Sequence, residues 1–265
     1  MATIGQIKRL VQVNVPFAML AGQYLETFTS LGLNPEIGLD ATTLDRVSVN
    51  EYEQVKDKLS AAGLKVTLHG PFIDMSPGSP DNEIWAVTRK RFGKVVEVAS
   101  IFGPKSVVLH AGYDQKRYGF VYERWFERSL DMWRWMGQAL REQGVLLCLE
   151  NVYEEYPEYL LSLFEQLEEE GVKFCFDTGH HALFGKVPLS EWLEVLGRYI
   201  GQLHLHDNSG EIDEHRAIGS GTVEFGLLFE WLGEHFTDPP IITLEPHKEE
   251  DLMPSLQWLE KHWPW

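Results

Sequence analysis

Six short apolar runs in this chain each hand over to an ionisable side chain: Leu68-His69, Leu109-His110, Leu149-Glu150, Phe176-Asp177, Leu203-His204-Leu205-His206 and Leu244-Glu245. Imidazole nitrogen and carboxylate oxygen are the donor set of Zn, Mn, Mg and Co sites. Glu150, Asp177, His204 and Glu245 are therefore the candidate ligands of one divalent ion. Three carboxylates with a single imidazole favour a hard ion such as Mn or Mg. Gathered without a cation, the three acids would repel one another and take up protons, so a metal also explains how they coexist ionised. Strand periodicity places His204 and His206 on one face, opposite Leu203 and Leu205.

Further along, Asp213 and His215 stand two apart just before the glycines Gly219 and Gly221, an extended D-x-H that can aim two side chains at one ion or one substrate. With His180 they make a further candidate metal or substrate group, and His69 with His110 makes another around a bridging Glu150. Taken singly, a strand-end histidine is more often a hydrogen-bonded lining residue than a ligand. A purely structural acid at Glu150, Asp177 or Glu245 would need a buried partner, which favours function at those three positions. His206 and Asp207 have an alternative role in capping or bracing the adjoining loop, and His181 and His247 fit either a backing or a surface position. His235 and His262 fall in helical patterns and are expected to be exposed. Phe17, Phe72, Tyr113, Tyr153 and Phe184 are candidate pocket walls, whereas Lys116 and Arg117 read as a solvated loop more readily than as a phosphate contact.

What must position these groups is a set of parallel strands. Strand-type runs occur at Lys8–Val15, Pro35–Leu39, Lys65–His69, Ser106–His110, Val145–Glu150, Val172–Asp177, Ile200–His206 and Pro240–Glu245. They alternate with helical patterns such as Asn50–Ala62, Asn82–Phe102, Tyr122–Gln143 and Pro157–Glu170. Trp85, Phe92, Val95, Val96, Ala99 and Phe102 recur at helical spacing and predict one buried stripe. Gly63, Gly144 and Gly171 each stand between a helix pattern and the next strand, where a left-handed cap is cheap for glycine. The pattern predicts an α/β fold of the (β/α)8 TIM-barrel type, with residues 1–265 as a single domain. In such a barrel the strand C-termini open on one face, so the six ionisable ends share one mouth.

Composition narrows the partners. With 23 Lys and Arg against 40 Asp and Glu, the formal charge of -17 argues against a broad grip on nucleic acid, which needs cations to neutralise phosphates. No apolar run approaches the roughly 18 residues of a membrane helix. The segment Met1–Arg9 lacks the layout of a signal peptide, and a cytoplasmic protein is expected. Cys148 and Cys175 lie in apolar runs and are expected to be packed thiols rather than a disulfide. Trp125, Trp133, Trp135, Trp192 and Trp231 are read as helix-to-barrel packing, and oligomeric state stays open.

In combination the strings HGPF from His69, HAG from His110, LENV from Leu149, DTGHH from Asp177, HLHDN from His204, DEHRAIGSGTVEF from Asp213 and LEP from Leu244 resemble the xylose isomerase-like TIM-barrel superfamily. Similarity to its sugar epimerase branch implies one metal held by Glu150, Asp177, His204 and Glu245, with substrate contacts from His180 and from His215 or Arg216. It also implies that Glu150 and Glu245 exchange a proton on opposite sides of a carbon next to a carbonyl of a sugar or sugar phosphate. The AP endonuclease branch is the alternative, because His69, His110, Glu150, Asp177, His180, His204, Asp213, His215 and Glu245 also resemble its three-zinc ligand pattern. Against that branch, Asn151-Val152-Tyr153-Glu154-Glu155-Tyr156 is unlike the small, glycine-containing segment expected there, and the loops carry no basic cluster. A non-catalytic ligand-binding barrel is the remaining reading, and would bind no metal.

Overall fold

The computed structural model of the protein describes residues 2–265. Eight parallel strands close into a barrel in simple chain order, each pairing with its sequence neighbour and the last with the first. They are β1 (Gln12–Pro16), β2 (Asn34–Gly38), β3 (Thr67–His69), β4 (Ser106–His110), β5 (Leu146–Glu150), β6 (Lys173–Asp177), β7 (Ile200–Leu205) and β8 (Ile241–Leu244). The expected TIM barrel is thus the observed one. Registry fixes who meets whom at the mouth: His110 pairs across with Glu150, and Asp177 with His204.

The first predicted strand needs correction. Lys8, Arg9 and Leu10 belong to a helix, Ile4–Leu10, and β1 starts only at Gln12. Thr3 caps that helix through a reciprocal capping box with Gln6, while Lys8 and Arg9 sit in its last turn, where cations complement the helix dipole. The other strand boundaries shift by no more than two residues, and Ser106–His110 and the helix Asn82–Phe102 stand as expected. That helix buries Phe92, Val95, Val98, Ala99 and Phe102 on the barrel, with Trp85 and Val96 partly buried beside them. Gly63, Gly144 and Gly171 take φ of 70°, 73° and 72°, the left-handed conformation that ends a helix.

Trp133 and Trp192 are fully buried in the main core, against which Trp135 and Trp231 pack partly buried, and Trp125 is fully buried in a smaller cluster with Tyr113 and Tyr118. The two cysteines are free and buried. Among the described residues no helix is long and apolar enough to cross a membrane.

The barrel interior is unusually polar. Ser106 on β4 donates to Gln202 on β7 at 2.5 Å, and Gln202 donates to Glu36 on β2 at 2.5 Å. Strands so far apart around the ring can meet only across its inside, so these side chains point inward with the strand-end acids. Period two then carries the inward set up each strand: Gln202 to His204, Thr67 to His69, Cys148 to Glu150, Cys175 to Asp177 and Thr243 to Glu245.

Candidate metal centre

At the C-terminal mouth, the residues expected to bind metal converge. His204 is fully buried, with Nδ1 facing Glu245 Oε1 at 3.2 Å, Glu150 Oε2 at 3.5 Å and Asp177 Oδ2 at 3.9 Å. Its Nε2 lies 2.9 Å from Glu36 Oε1. Despite three carboxylates nearby, Nδ1 of His204 has no hydrogen-bond partner. Donors that share an ion at about 2.0–2.2 Å must stand roughly 3–3.5 Å apart, so the Glu245 and Glu150 spacings fit coordination, while Asp177 at 3.9 Å would have to draw in. An orphaned buried nitrogen aimed at carboxylate oxygens is the observation by which these residues fit a divalent cation.

Two more donor groups flank this one. Glu150 Oε2 also meets His69 Nε2 at 3.0 Å and His110 Nε2 at 3.6 Å, while its Oε1 faces His180 Nδ1 at 3.1 Å. Glu150 therefore sits between groups, as the bridging role requires. On the other side Asp213 Oδ2 lies 3.1 Å from His215 Nε2 and 3.4 Å from His180 Nε2, with Oδ1 3.7 Å from His206 Nδ1. His180 with His206, Asp213 and His215 forms one compact donor set, and His69 with His110 and Glu150 another.

Local folding explains the aim of each. Asp177 ends β6 and caps the next helix, Thr178–Phe184, accepting from the His180 backbone N–H at 2.7 Å. One helical turn thereby delivers His180 beside Asp177. His215 adopts φ of 50°, a left-handed conformation uncommon outside glycine, and this places its ring against Asp213. Asp207 braces the loop, accepting from the backbone N–H groups of Asn208, Gly221 and Val223. His206 instead reaches back to Asp177 at 3.1 Å. Gly179 passes so close to the His206 ring that a Cβ would lie 2.0 Å from it, so no larger residue fits there.

The electrostatics follow from this crowding. Burial alone would raise the Glu150 carboxyl, but the facing imidazoles of His110, His204 and His180 outweigh it and hold Glu150 well below its ordinary range. Burial likewise opposes charge on His180, yet Asp177, Asp213 and Glu150 raise it well above the usual histidine value. His110, where burial dominates, falls to about 3. A neutral imidazole is the form that binds metal.

Other expected residues separate. Arg216 pairs by its backbone with Asp207 and turns its guanidinium toward Glu214 at 4.0 Å, so of His215 and Arg216 it is His215 that enters the donor cluster. Phe17 is a core residue packed on Tyr52, which removes it from the expected pocket wall. His181 packs on Phe176 and Trp192 and bonds the Val187 carbonyl, a backing role. His247 stacks on His215 at 3.8 Å between ring centres, and His215 on His206 at 3.7 Å. His235 and His262 are exposed on helices. A cleft of about 110 Å³ opens beside His110, lined by Phe72, Tyr113, Arg117, Tyr153 and Glu154 among others. Phe72 stacks on His110, and Tyr153 meets Phe184. Lys116 lies in the short helix Gln115–Tyr118 and is exposed.

Glu154 and Glu36 are absent from the expected site. Glu154 accepts from Val152 N–H at 2.7 Å and Tyr113 N–H at 3.1 Å, tying the loops after β4 and β5 together. Burial pushes its carboxyl from 4.5 up to about 7, against the backbone N–H groups that favour the charged form. Between those values the folded chain keeps a proton that the unfolded chain releases, so this group withdraws stability as pH rises through the window. The unfolding free energy of Glu154→Gln relative to the parent is expected to rise by about 3 kcal/mol between pH 4.5 and 7.5. Denaturant titrations across that range check it, and a pH-independent difference contradicts it.

A family model described as xylose isomerase-like TIM barrel matches residues 33–262. The uncharacterised protein MJ1311 of Methanocaldococcus jannaschii is 26 % identical over 206 residues, 75 % of this chain and 70 % of its own length. Among solved structures, the TTHB071 protein of Thermus thermophilus, soaked with ZnCl2, superposes with a TM-score of 0.79 at 28 % identity, covering 95 % of this chain and 97 % of that one. A D-tagatose 3-epimerase-like protein superposes with a TM-score of 0.80 at 22 % identity, covering 96 % and 97 %, a likeness of fold.

Proposed function

This chain belongs to the xylose isomerase-like TIM-barrel family, and from that premise we propose that it is a divalent-metal-dependent isomerase or epimerase of a sugar or sugar phosphate. The observation that carries the reading is His204 Nδ1, buried without a hydrogen-bond partner and faced by Glu150, Asp177 and Glu245. These four residues would hold Mn, Mg, Co or Zn, the ion supplying Lewis acidity toward a carbonyl oxygen and the neighbouring hydroxyl. Glu150 and Glu245 reach the centre from β5 and from the end of β8. One would remove the proton from the carbon beside the carbonyl and the other, entering the reaction protonated, would give its own proton to the opposite face of that carbon and invert it; delivery to the former carbonyl carbon instead would interconvert ketose and aldose. His180 and His215 would contact substrate oxygens by exchanging Asp213, which both now face through Nε2, for the substrate. The net charge of -17 and the epimerase-like solved neighbour favour a small polyhydroxy substrate over DNA.

A second reading has its own support. The flanking groups His69–His110–Glu150 and His180–His206–Asp213–His215 stand at ligand spacing, and filling both as well as the centre would make a three-zinc phosphodiesterase. One experiment separates the two: incubation of the metal-loaded protein in D2O with a panel of ketoses, beside a duplex containing an abasic site. Deuterium entering a ketose next to its carbonyl supports the isomerase reading. Cleavage of the duplex with no ketose exchange would replace it by the hydrolytic one.

A further inference from the structure

Beneath the candidate ligands lies a charged residue with no access to solvent. Glu36, in the middle of β2, is 0 % exposed, and five side chains converge on its carboxylate. Oε2 accepts from Thr67 at 2.8 Å, Gln202 at 2.5 Å and Thr243 at 3.1 Å. Oε1 faces His204 Nε2 at 2.9 Å and the Asn14 amide at 3.5 Å. That amide also donates to Glu245 Oε1 at 3.2 Å.

A carboxylate offers about four lone-pair directions. Here they are filled by neutral donors and one imidazole, an arrangement that suits the ionised form. An ionised acceptor at 2.9 Å requires the imidazole nitrogen facing it to carry hydrogen. Nε2 of His204 thereby keeps its hydrogen, so Nδ1 is the nitrogen that gives up any proton it carries and offers its lone pair to an ion arriving among the three acids at the mouth. Asn14 ties the same carboxylate to Glu245 on the far side of the centre.

We propose that Glu36 is a positioning residue for the metal centre: it fixes the orientation and hydrogen placement of His204 and, through Asn14, holds Glu245, so that both are aligned before an ion arrives. The inference rests on the metal reading given above and adds a residue outside the ligand set. Outer carboxylates of this kind orient the ligating histidine and raise its basicity, and their loss costs about 10- to 100-fold in metal affinity. Thr67, Gln202 and Thr243 make the carboxylate's seat rather than touching any ligand themselves, apart from Gln202, whose amide lies 3.3 Å from His204 Nε2.

The test uses the full chain titrated with zinc alone, read by the imidazole nitrogen signals of His204 and by competition with a chromophoric chelator. In the zinc-loaded parent the proton of His204 is expected on Nε2. Glu36→Gln should bind zinc at the centre about 10- to 100-fold more weakly, Glu36→Asp should recover part of that loss, and Thr67→Val, which removes one donor and keeps the charge, should stay within about threefold of the parent. Unchanged zinc affinity in Glu36→Gln overturns the inference while leaving the proposed function standing. A proton found on Nδ1 in the zinc-loaded parent overturns it without any variant, which covers the case of a Glu36→Gln chain that does not fold. A parent that binds no zinc overturns both.

Discussion

Replacing Glu150 by glutamine is expected to slow the interconversion of a ketose and its epimer by about 10³-fold, the range lost with a positioned acid or base. The size of the effect follows from where the charge sits. One oxygen of Glu150 faces His204, His69 and His110, and the other faces His180. Glutamine keeps the shape but offers one acceptor and one amide donor where imidazoles converge. The same exchange therefore removes a proton acceptor for the substrate and a ligand for the ion. Glu245→Gln should impair the reaction to a similar degree by a different route, because Glu245 faces His204 and Asn14 and stands 3.7 Å from His215. Chiral analysis of the products and deuterium uptake are the measurements. Variants at both positions that turn over at the parent rate would refute the two-glutamate mechanism.

Loading the chain with a divalent ion is expected to raise its melting temperature by about 8–16 °C. Glu150, Asp177 and Glu245 all face one buried imidazole nitrogen, and no fixed cation from lysine or arginine is paired with any of them in the described structure. An ion that binds only the folded chain, at a concentration about a thousandfold above its dissociation constant, stabilises by about 4 kcal/mol. For a domain of this size each kcal/mol moves the midpoint by about 2–4 °C. Chelation should reverse the shift. A midpoint indifferent to both ion and chelator would mean that the acids are accommodated by protons on the surrounding histidines instead.

Much of this arrangement is legible in the residues. Strand ends can be read because an apolar run followed by an acid or imidazole, as in Leu149-Glu150 and Phe176-Asp177, marks where a buried strand reaches a mouth. The helix Asn82–Phe102 is clear because its buried stripe has an unbroken period. Lys8–Leu10 reads wrongly as strand because Val11 continues the alternation of Val13 and Val15 backward and Leu10 lengthens the apolar run, while the decisive signal, a capping box between Thr3 and Gln6, lies outside the apolar pattern. Phe17 cannot be sorted from the pocket aromatics, since its burial against Tyr52 depends on a helix far along the chain.

Glu36 escapes sequence reasoning for a different reason. It lies within Asn34-Pro35-Glu36-Ile37-Gly38 rather than at a strand end, and a barrel core is ordinarily filled by apolar side chains. A weak signal exists. Gln12 and Asn14, Thr67 and His69, Gln202 and His204 repeat polar residues at period two, which places a polar lining under the site. Which lining residue carries the charge, and which ligand it supports, depends on contacts across the barrel between β2 and β7 that no local pattern encodes.

The account depends on Glu150, Asp177, His204 and Glu245 sharing one ion. A crystal of the protein soaked in MnCl2 and measured for anomalous scattering tests this directly. The expected result is a peak among those four side chains, about 2.0–2.3 Å from His204 Nδ1 and from carboxylate oxygens of Glu150, Asp177 and Glu245. A map with no peak there, or with manganese only at surface acids, would contradict it.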